Sequence, residues 1–170
     1  MLILFAGHET TTNLLGTSIR GLLQHPDQLD RFMADPGLTQ SAVEEFLRYD
    51  GPTNALVRNV ARDHELHGRH LKEGQRVFLM INSANRDPEF FDDPDRFDIT
   101  RTPNRHMTFG QGIHTCLGSQ LAREEGRIAV RAFFERFPKA AFDPDRPPAY
   151  IDAMVPRGLV HLHLHLEGRG

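Results

Sequence analysis

One stretch concentrates residue types able to do chemistry. FGQGIHTCLG, Phe109 to Gly118, holds the only cysteine of the 170-residue chain. Gly110, Gly112 and Gly118 crowd around Cys116, His114 stands two residues before it, and a helical pattern begins directly afterwards. Lone cysteines are commonly inert buried side chains. A glycine-rich loop is a poor place for inert sulfur, because glycine lets backbone approach a bound group closely or take up positive φ. A helix starting just past Cys116 aims free N–H groups and its positive dipole end at the sulfur, and both favour thiolate over thiol. The pattern therefore predicts a charged sulfur held against something flat or bulky.

Three uses of such a thiolate are compared. A hydrolase would take His114 as base, yet residues two apart in a loop rarely meet in hydrogen-bond geometry, and no orienting third group is evident. A zinc site wants further cysteines, and there are none. A haem–thiolate bond needs one cysteine, space for a porphyrin, and cationic or hydrogen-bonding groups for its propionates. The residues admit that third use.

The elements that must position the loop read as mostly helical. Met1 to about Gln24 is a helix that opens on bare apolar residues without a capping Ser, Thr, Asp or Asn, so the sequence is expected to enter partway through an element. His25-Pro26 breaks it, and Asp27 to Met33 forms a short second helix. Leu38 to Tyr49 is a third, capped by Thr39 or Ser41, with Val43, Phe46 and Leu47 on one buried face. After Asp50-Gly51-Pro52, short strands are predicted at Ala55 to Val60, His64 to His67 and Gln75 to Ile81. Asn85 to Arg105 is a long polar connection, expected to be ordered because Phe90, Phe91 and Phe97 anchor it. Leu117 to Phe137 is the last helix, with Leu121, Ile128 and Ala132 as its stripe and Ala122, Ala129 and Phe133 beside them. Proline-bearing turns and a strand from Leu159 to Leu166 finish the chain. In that strand His161, His163 and His165 would share one face, which can bind metal, although a polar outer face is the commoner meaning. The predicted fold is mainly α with small antiparallel β-sheets, in one domain over residues 1–170.

Composition sets the class. Hydrophobic residues are 39% and charged residues 25%, ordinary values for a soluble globular protein. A net charge of −3 gives no electrostatic case for nucleic acid. The opening MLILFA lacks a basic n-region and its apolar run is too short for a secretory or membrane-spanning segment. One cysteine excludes an internal disulfide, and a cytoplasmic setting is expected.

Phe109, Gly112, Cys116 and Gly118 fit F-x-x-G-x-x-x-C-x-G and so resemble the haem-binding signature of the cytochrome P450 family. Three further segments stand in that family's order. Ala6-Gly7-His8-Glu9-Thr10-Thr11 resembles the oxygen-activating part of its long central helix. Glu45-Phe46-Leu47-Arg48 is its E-x-x-R, with Arg96 of Pro94-Asp95-Arg96-Phe97 as the expected third member of a buried structural group. Arg58 follows on the strand after Pro52. The family often has Glu where Asp95 stands.

The resemblance implies the C-terminal portion of that fold, bacterial and soluble in type, with the N-terminal half absent. It implies haem b as cofactor, Cys116 as axial ligand of its iron, and His114 and Arg58 reaching the propionates. Phe109, Gly110, Gly112 and Gly118 shape the cofactor loop, while Ala6 and Gly7 leave room above it for dioxygen. Thr10 and Glu9 form an alcohol–acid pair that relays protons, and Thr10 is expected to bond a carbonyl one turn back and bend its helix. Asn54, Ala55, Leu56 and Val57 face a largely apolar substrate pocket. The implied activity is monooxygenation of a small hydrophobic substrate, with electrons from a ferredoxin- or flavodoxin-type donor and its NAD(P)H reductase. Arg123 and Arg127 are candidate contacts for an acidic donor. Two alternatives are kept: a truncated or decayed fragment with at most weak haem binding and no turnover, and a non-catalytic haem–thiolate sensor, against which Glu9 and Thr10 argue.

Overall fold

The computed structural model describes residues 2–167, with side chains from residue 6 onward. Met1, where the first helix is expected to open, lies outside the described residues. Helix α1 (Leu2–Gln24) runs to the His25-Pro26 break, and α2 (Pro26–Ala34) follows with proline in its first turn, where a missing N–H is harmless. A 3₁₀ turn, Pro36–Leu38, leads directly into α3 (Thr39–Asp50). This overturns the expected cap. Asp35 caps the 3₁₀ turn by accepting the Gly37 N–H at 2.7 Å, and the Thr39 and Ser41 hydroxyls donate back to the Pro36 and Leu38 carbonyls. Because a turn precedes α3, no free first turn remains for either hydroxyl to cap.

Strands β1 (Ala55–Asn59) and β4 (Arg76–Met80) pair antiparallel, with Val57 opposite Phe78. Between them β2 (His64–Leu66) and β3 (Arg69–Leu71) form a hairpin, of which the sequence reading identified one arm. His67 and Gly68 close it at φ 47° and 71°, the doubly left-handed turn that matches strand twist. Helix α4 (Ile81–Ala84) is one turn long, and α5 (Ser119–Arg136) is the last helix. Strands β5 (Ala141–Phe142), β6 (Ala149–Tyr150), β7 (Leu159–His161) and β8 (Leu164–His165) complete the fold, giving four two-stranded sheets in all among the described residues.

The predicted final strand is therefore two strands in different sheets, β7 on β6 and β8 on β5. His163 falls in the break, its carbonyl accepting the Asp143 N–H at 3.2 Å, so the three histidines do not share one strand face. No group of three or more His, Cys, Asp or Glu among the described residues is placed to hold a metal ion.

The core lies where α1, α3 and α5 meet, built from Leu14, Leu22, Val43, Leu47, Val130 and Phe134, with Phe32, Phe46, Phe97 and Ile99 closing one end. Gly126 allows the close approach of α5: a Cβ there would stand 3.4 Å from Val43 and 3.8 Å from Leu14. The buried face of α5 is thus Gly126, Val130 and Phe134. The predicted stripe points elsewhere, with Leu121 63% and Ile128 67% exposed. Apolar spacing marks a buried face only when one face is apolar, and α5 carries two. At the other end of the core Asp50 gathers Arg157 (2.5 Å), Arg20 (3.7 Å) and the Tyr150 hydroxyl, clasping the last strands to α1 and α3. Burial and the hydrogen bond to Asp50 push the Tyr150 hydroxyl up to about 12.

The segment from 85 to 105 is ordered around one buried ion pair. Glu45 and Arg48 have no exposed side-chain surface, and Arg48 meets both Glu45 oxygens at 2.8 Å. Its remaining N–H groups go to the carbonyls of Asn85 (2.9 Å), Pro94 (2.8 Å) and Arg96 (3.1 Å). Arg96 therefore joins the group through its backbone. Its side chain is 62% exposed and sits 3.7 Å from the Asp98 carboxylate. The second arginine at Glu45 is Arg101, 11% exposed and 3.4 Å away. Phe91 and Phe97 anchor the segment as expected, whereas Phe90 is 62% exposed and rests only on the edge of Phe91.

Replacing Arg48 by Leu strands a buried carboxylate and three carbonyls, so a loss of about 3–5 kcal/mol is expected in urea unfolding. The double replacement Glu45→Leu with Arg48→Leu removes the stranded charge but leaves those carbonyls unpaired. It should recover only part of the loss.

Candidate functional site

The Cys116 loop is closed by its own backbone. The Cys116 N–H donates to the Phe109 carbonyl at 2.8 Å, and the Cys116 carbonyl accepts the Ser119 N–H at 3.3 Å, at the entry to α5. Gly110 and Gly112 sit at φ 67° and 68°, where a side chain would be strained. Residues Gly112–His114 make a 3₁₀ turn that leaves Cys116 exposed with a free thiol. Two large aliphatic side chains flank it with almost no packing, Ile113 97% and Leu117 94% exposed. A Cβ on Gly112 or Gly118 would meet nothing within 4 Å. The loop is an open, apolar-sided cradle with one thiol in it.

Those features suit a haem. The cradle offers a single sulfur ligand, apolar faces for a macrocycle, and cationic chemistry nearby for carboxylates. His114 is exposed. Arg58, also exposed, donates only to the Val57 carbonyl at 2.9 Å, and among the described residues no carboxylate pairs with it.

Three side chains from the helices hold the approach to the loop. Asn85, fully buried, accepts the Met107 N–H at 2.7 Å and donates to the Thr108 hydroxyl at 2.9 Å. Thr108 in turn donates to the Leu47 carbonyl of α3 at 2.7 Å. Next to them Glu44 takes both Arg123 nitrogens (2.7 and 3.0 Å) and His106 Nε2 (3.0 Å). Burial alone would push the Glu44 carboxyl up. The hydrogen bonds and charges of His106 and Arg123 outweigh it and bring the value down to about 2. Arg123 is thus committed inside the protein rather than free for a donor. Arg127 is 41% exposed, paired at 2.7 Å with Glu124.

On α1 the Thr10 hydroxyl donates to the Ala6 carbonyl at 2.7 Å, the back-bond expected of it. With its proton so used, Oγ1 keeps acceptor capacity for a water or ligand. Thr10, Ala6 and Gly7 are exposed, and Glu9 is half-buried. Gly7 also lines a groove of about 480 Å³ between α1 and α5, with Thr11, Leu15, Leu121 and Ile128.

The proposed pocket wall needs correction. Ala55 is fully buried and cannot line a pocket, because successive strand residues point to opposite faces. Asn54 is held by its backbone, which donates to Val155 at 2.8 Å and accepts from Ile81 at 2.9 Å. Exposed apolar surface begins at Val57 (40%) and continues across the pair to Phe78 (41%).

Asn85, Thr108, His106, Glu44 and Arg101 all shape the site without having been singled out from the sequence. A search for a partner to Glu45 could have weighed Arg101, a second arginine in the same segment. For the others no spacing signal exists, since each works across more than twenty residues of chain.

Full-strength stabilisation from Glu44 is expected above its ordinary value of 4.5 and should fade as pH falls toward about 2. In urea unfolding, the stability gap between wild type and Glu44→Gln should be largest near neutral pH and close over that acid window.

Comparison with known proteins agrees with this architecture. The family described as Cytochrome P450 matches residues 1–160. Vitamin D(3) 25-hydroxylase of Pseudonocardia autotrophica is 49% identical over 99% of this chain and 42% of its own length. The biotin biosynthesis cytochrome P450 of Bacillus subtilis is 48% identical over 81% of this chain and 35% of its own. In structure, CYP109E1 from Bacillus megaterium in complex with testosterone superposes with a TM-score of 0.93 at 41% identity, covering 97% of this chain and 46% of that one. The chain thus spans less than half the length of these relatives. With the motif order, the fold and these likenesses in agreement, the chain belongs to the cytochrome P450 family.

Proposed function

We propose that the chain is the haem-ligating part of a monooxygenase that inserts one atom of dioxygen into a largely apolar organic substrate. The observation that carries this reading is the exposed, free Cys116 thiol in a left-handed glycine loop, flanked by bare Ile113 and Leu117. A haem b held there supplies the oxygen-activating redox chemistry.

The chain's own residues have separable tasks. Cys116 Sγ is the iron ligand. Arg58 and His114 neutralise the propionates. Thr10 Oγ1, its proton given to Ala6, accepts a hydrogen bond on the distal side, and Glu9 delivers protons from solvent. Val57 and Phe78 offer apolar contact to a substrate. Electrons come from a ferredoxin- or flavodoxin-type protein with its NAD(P)H reductase, docking on the Cys116 side in the cytoplasm, with Arg127 as one contact. Among the described residues no helix is long and apolar enough to cross a membrane. Exposed Leu121, Ile128 and Leu79 mark faces where additional chain of a longer relative would pack.

Titrating haem into wild type and Cys116→Ser, followed by reduction under carbon monoxide, tests the ligand. Wild type should give the thiolate-type difference band and the variant should not. A band persisting without the sulfur would refute the assignment. In a turnover-competent form, Thr10→Ala should consume dioxygen with much of the product replaced by peroxide, a change on the order of ten-fold in coupling if one hydrogen bond of ordinary strength is lost. Unchanged coupling would remove Thr10 from the proton path.

A further inference from the structure

The charged cluster that this chemistry leaves unused is Glu44, His106 and Arg123. Its connections run in one direction. Both Glu44 oxygens are occupied, Oε1 by Arg123 Nε at 2.7 Å and Oε2 by Arg123 Nη2 and His106 Nε2 at 3.0 Å each. The His106 side chain is 3% exposed. Its Nδ1 accepts the Thr108 N–H at 3.3 Å, so the ring proton resides on Nε2 and is donated to Glu44. One carboxylate therefore fixes a guanidinium from α5 and an imidazole from the loop approach at once.

Both of those groups bear on Phe109. The Arg123 guanidinium lies over its ring, 4.5 Å from the centroid, and the His106 ring stands 6.0 Å from it. Phe109 itself packs against the core, and its carbonyl accepts the Cys116 N–H at 2.8 Å. Beyond that bond the loop has little else. Ile113 and Leu117 are bare, and nothing lies within 4 Å of where a Cβ of Gly112 or Gly118 would be. The orientation of Cys116 is therefore delegated to the Phe109 peptide, and the Phe109 peptide to the ring clamped by Arg123 and His106.

We propose that Glu44 is a positioning residue for the sulfur, acting through Arg123 and His106 on Phe109 and through the Phe109 carbonyl on the Cys116 backbone. Glu44 touches neither cofactor nor substrate. Its effect on the sulfur's role as a ligand rests on the haem–thiolate reading, while its effect on the loop does not.

The two parts are tested separately. Hydrogen exchange of the Cys116 amide is followed in the 170-residue chain for wild type, Glu44→Ala and Arg123→Met, with Glu44→Gln as a milder variant that keeps shape and one acceptor. The Cys116 amide should exchange at least roughly ten-fold faster in each of the first two, as expected for loss of a charge-assisted pair. Amides of the β1–β4 pair should keep their wild-type rates, and the double variant should be no faster than either single one. A wild-type rate at Cys116, or equal acceleration everywhere, overturns the proposal. In the haem-loaded protein, the thiolate-type carbon monoxide band should lose intensity to a neutral-thiol form in Glu44→Ala, with Glu44→Gln intermediate. Identical band proportions in all three overturn the claim on the sulfur. A wild type without any thiolate-type band refutes the haem reading instead and leaves the exchange result to decide the latch.

Discussion

The Glu45–Arg48 pair is the constraint on which the rest depends. Two charges with no exposed surface cannot be sustained by their mutual attraction alone, because desolvation costs as much as the Coulomb term returns. They persist here because every N–H of Arg48 has an acceptor, and three of those acceptors are backbone carbonyls from one irregular segment. Glu45 repeats the device from the other side, accepting the Asp98 N–H at 2.9 Å and the Asn104 amide at 3.0 Å. A stretch with neither helix nor strand to satisfy its backbone thus receives its hydrogen bonds from two side chains of α3. A hydrophobic pair of equal volume would fill the space and leave that backbone unsatisfied.

Order in the segment is then passed on to the site. Asn85 gives its carbonyl to Arg48 and both ends of its amide to Met107 and Thr108. The same residue thereby touches the buried ion pair and the strand of chain entering the Cys116 loop. The fixed scaffold stops abruptly at Phe109. From Gly110 to Gly118 the loop is exposed, left-handed where glycine permits, and flanked by aliphatic side chains without partners. A rigid frame around an open cradle is what a site needs when the bound group supplies the missing packing.

The sequence was legible where chemistry is local. The helices, the break at His25-Pro26, the Thr10 back-bond and the E-x-x-R pair all depend on residues within four positions of one another, and each stands as read. Long-range choices were not legible. Which arginine meets Glu45 is decided by how residues 94–101 fold back, so Arg96 was chosen where Arg101 sits, and Arg96 contributes a carbonyl instead. The α5 stripe failed for a different reason. Leu121 and Ile128 are apolar at helical spacing, yet the smaller Gly126 and Val130 face α1 and α3, because close helix approach selects for small side chains. Ala55 was misplaced by treating four consecutive strand residues as one wall.

Glu44 and Glu45 show how adjacent residues of one type come to do different work. Neighbours on a helix diverge by about 100°, so two consecutive carboxylates on α3 cannot serve the same partner. Glu45 turns inward to Arg48 and the segment from 85 to 105, where no water reaches it. Glu44 turns toward α5 and His106, stays 23% exposed, and is kept ionised by two cationic or donating neighbours despite its partial burial. The first clamps the beginning of the irregular chain and the second its end, at Phe109. Both clamps issue from a single turn of α3, so any movement of that turn is felt at both ends together. A cofactor loop suspended between them inherits its position from one helix rather than from its own flexible residues.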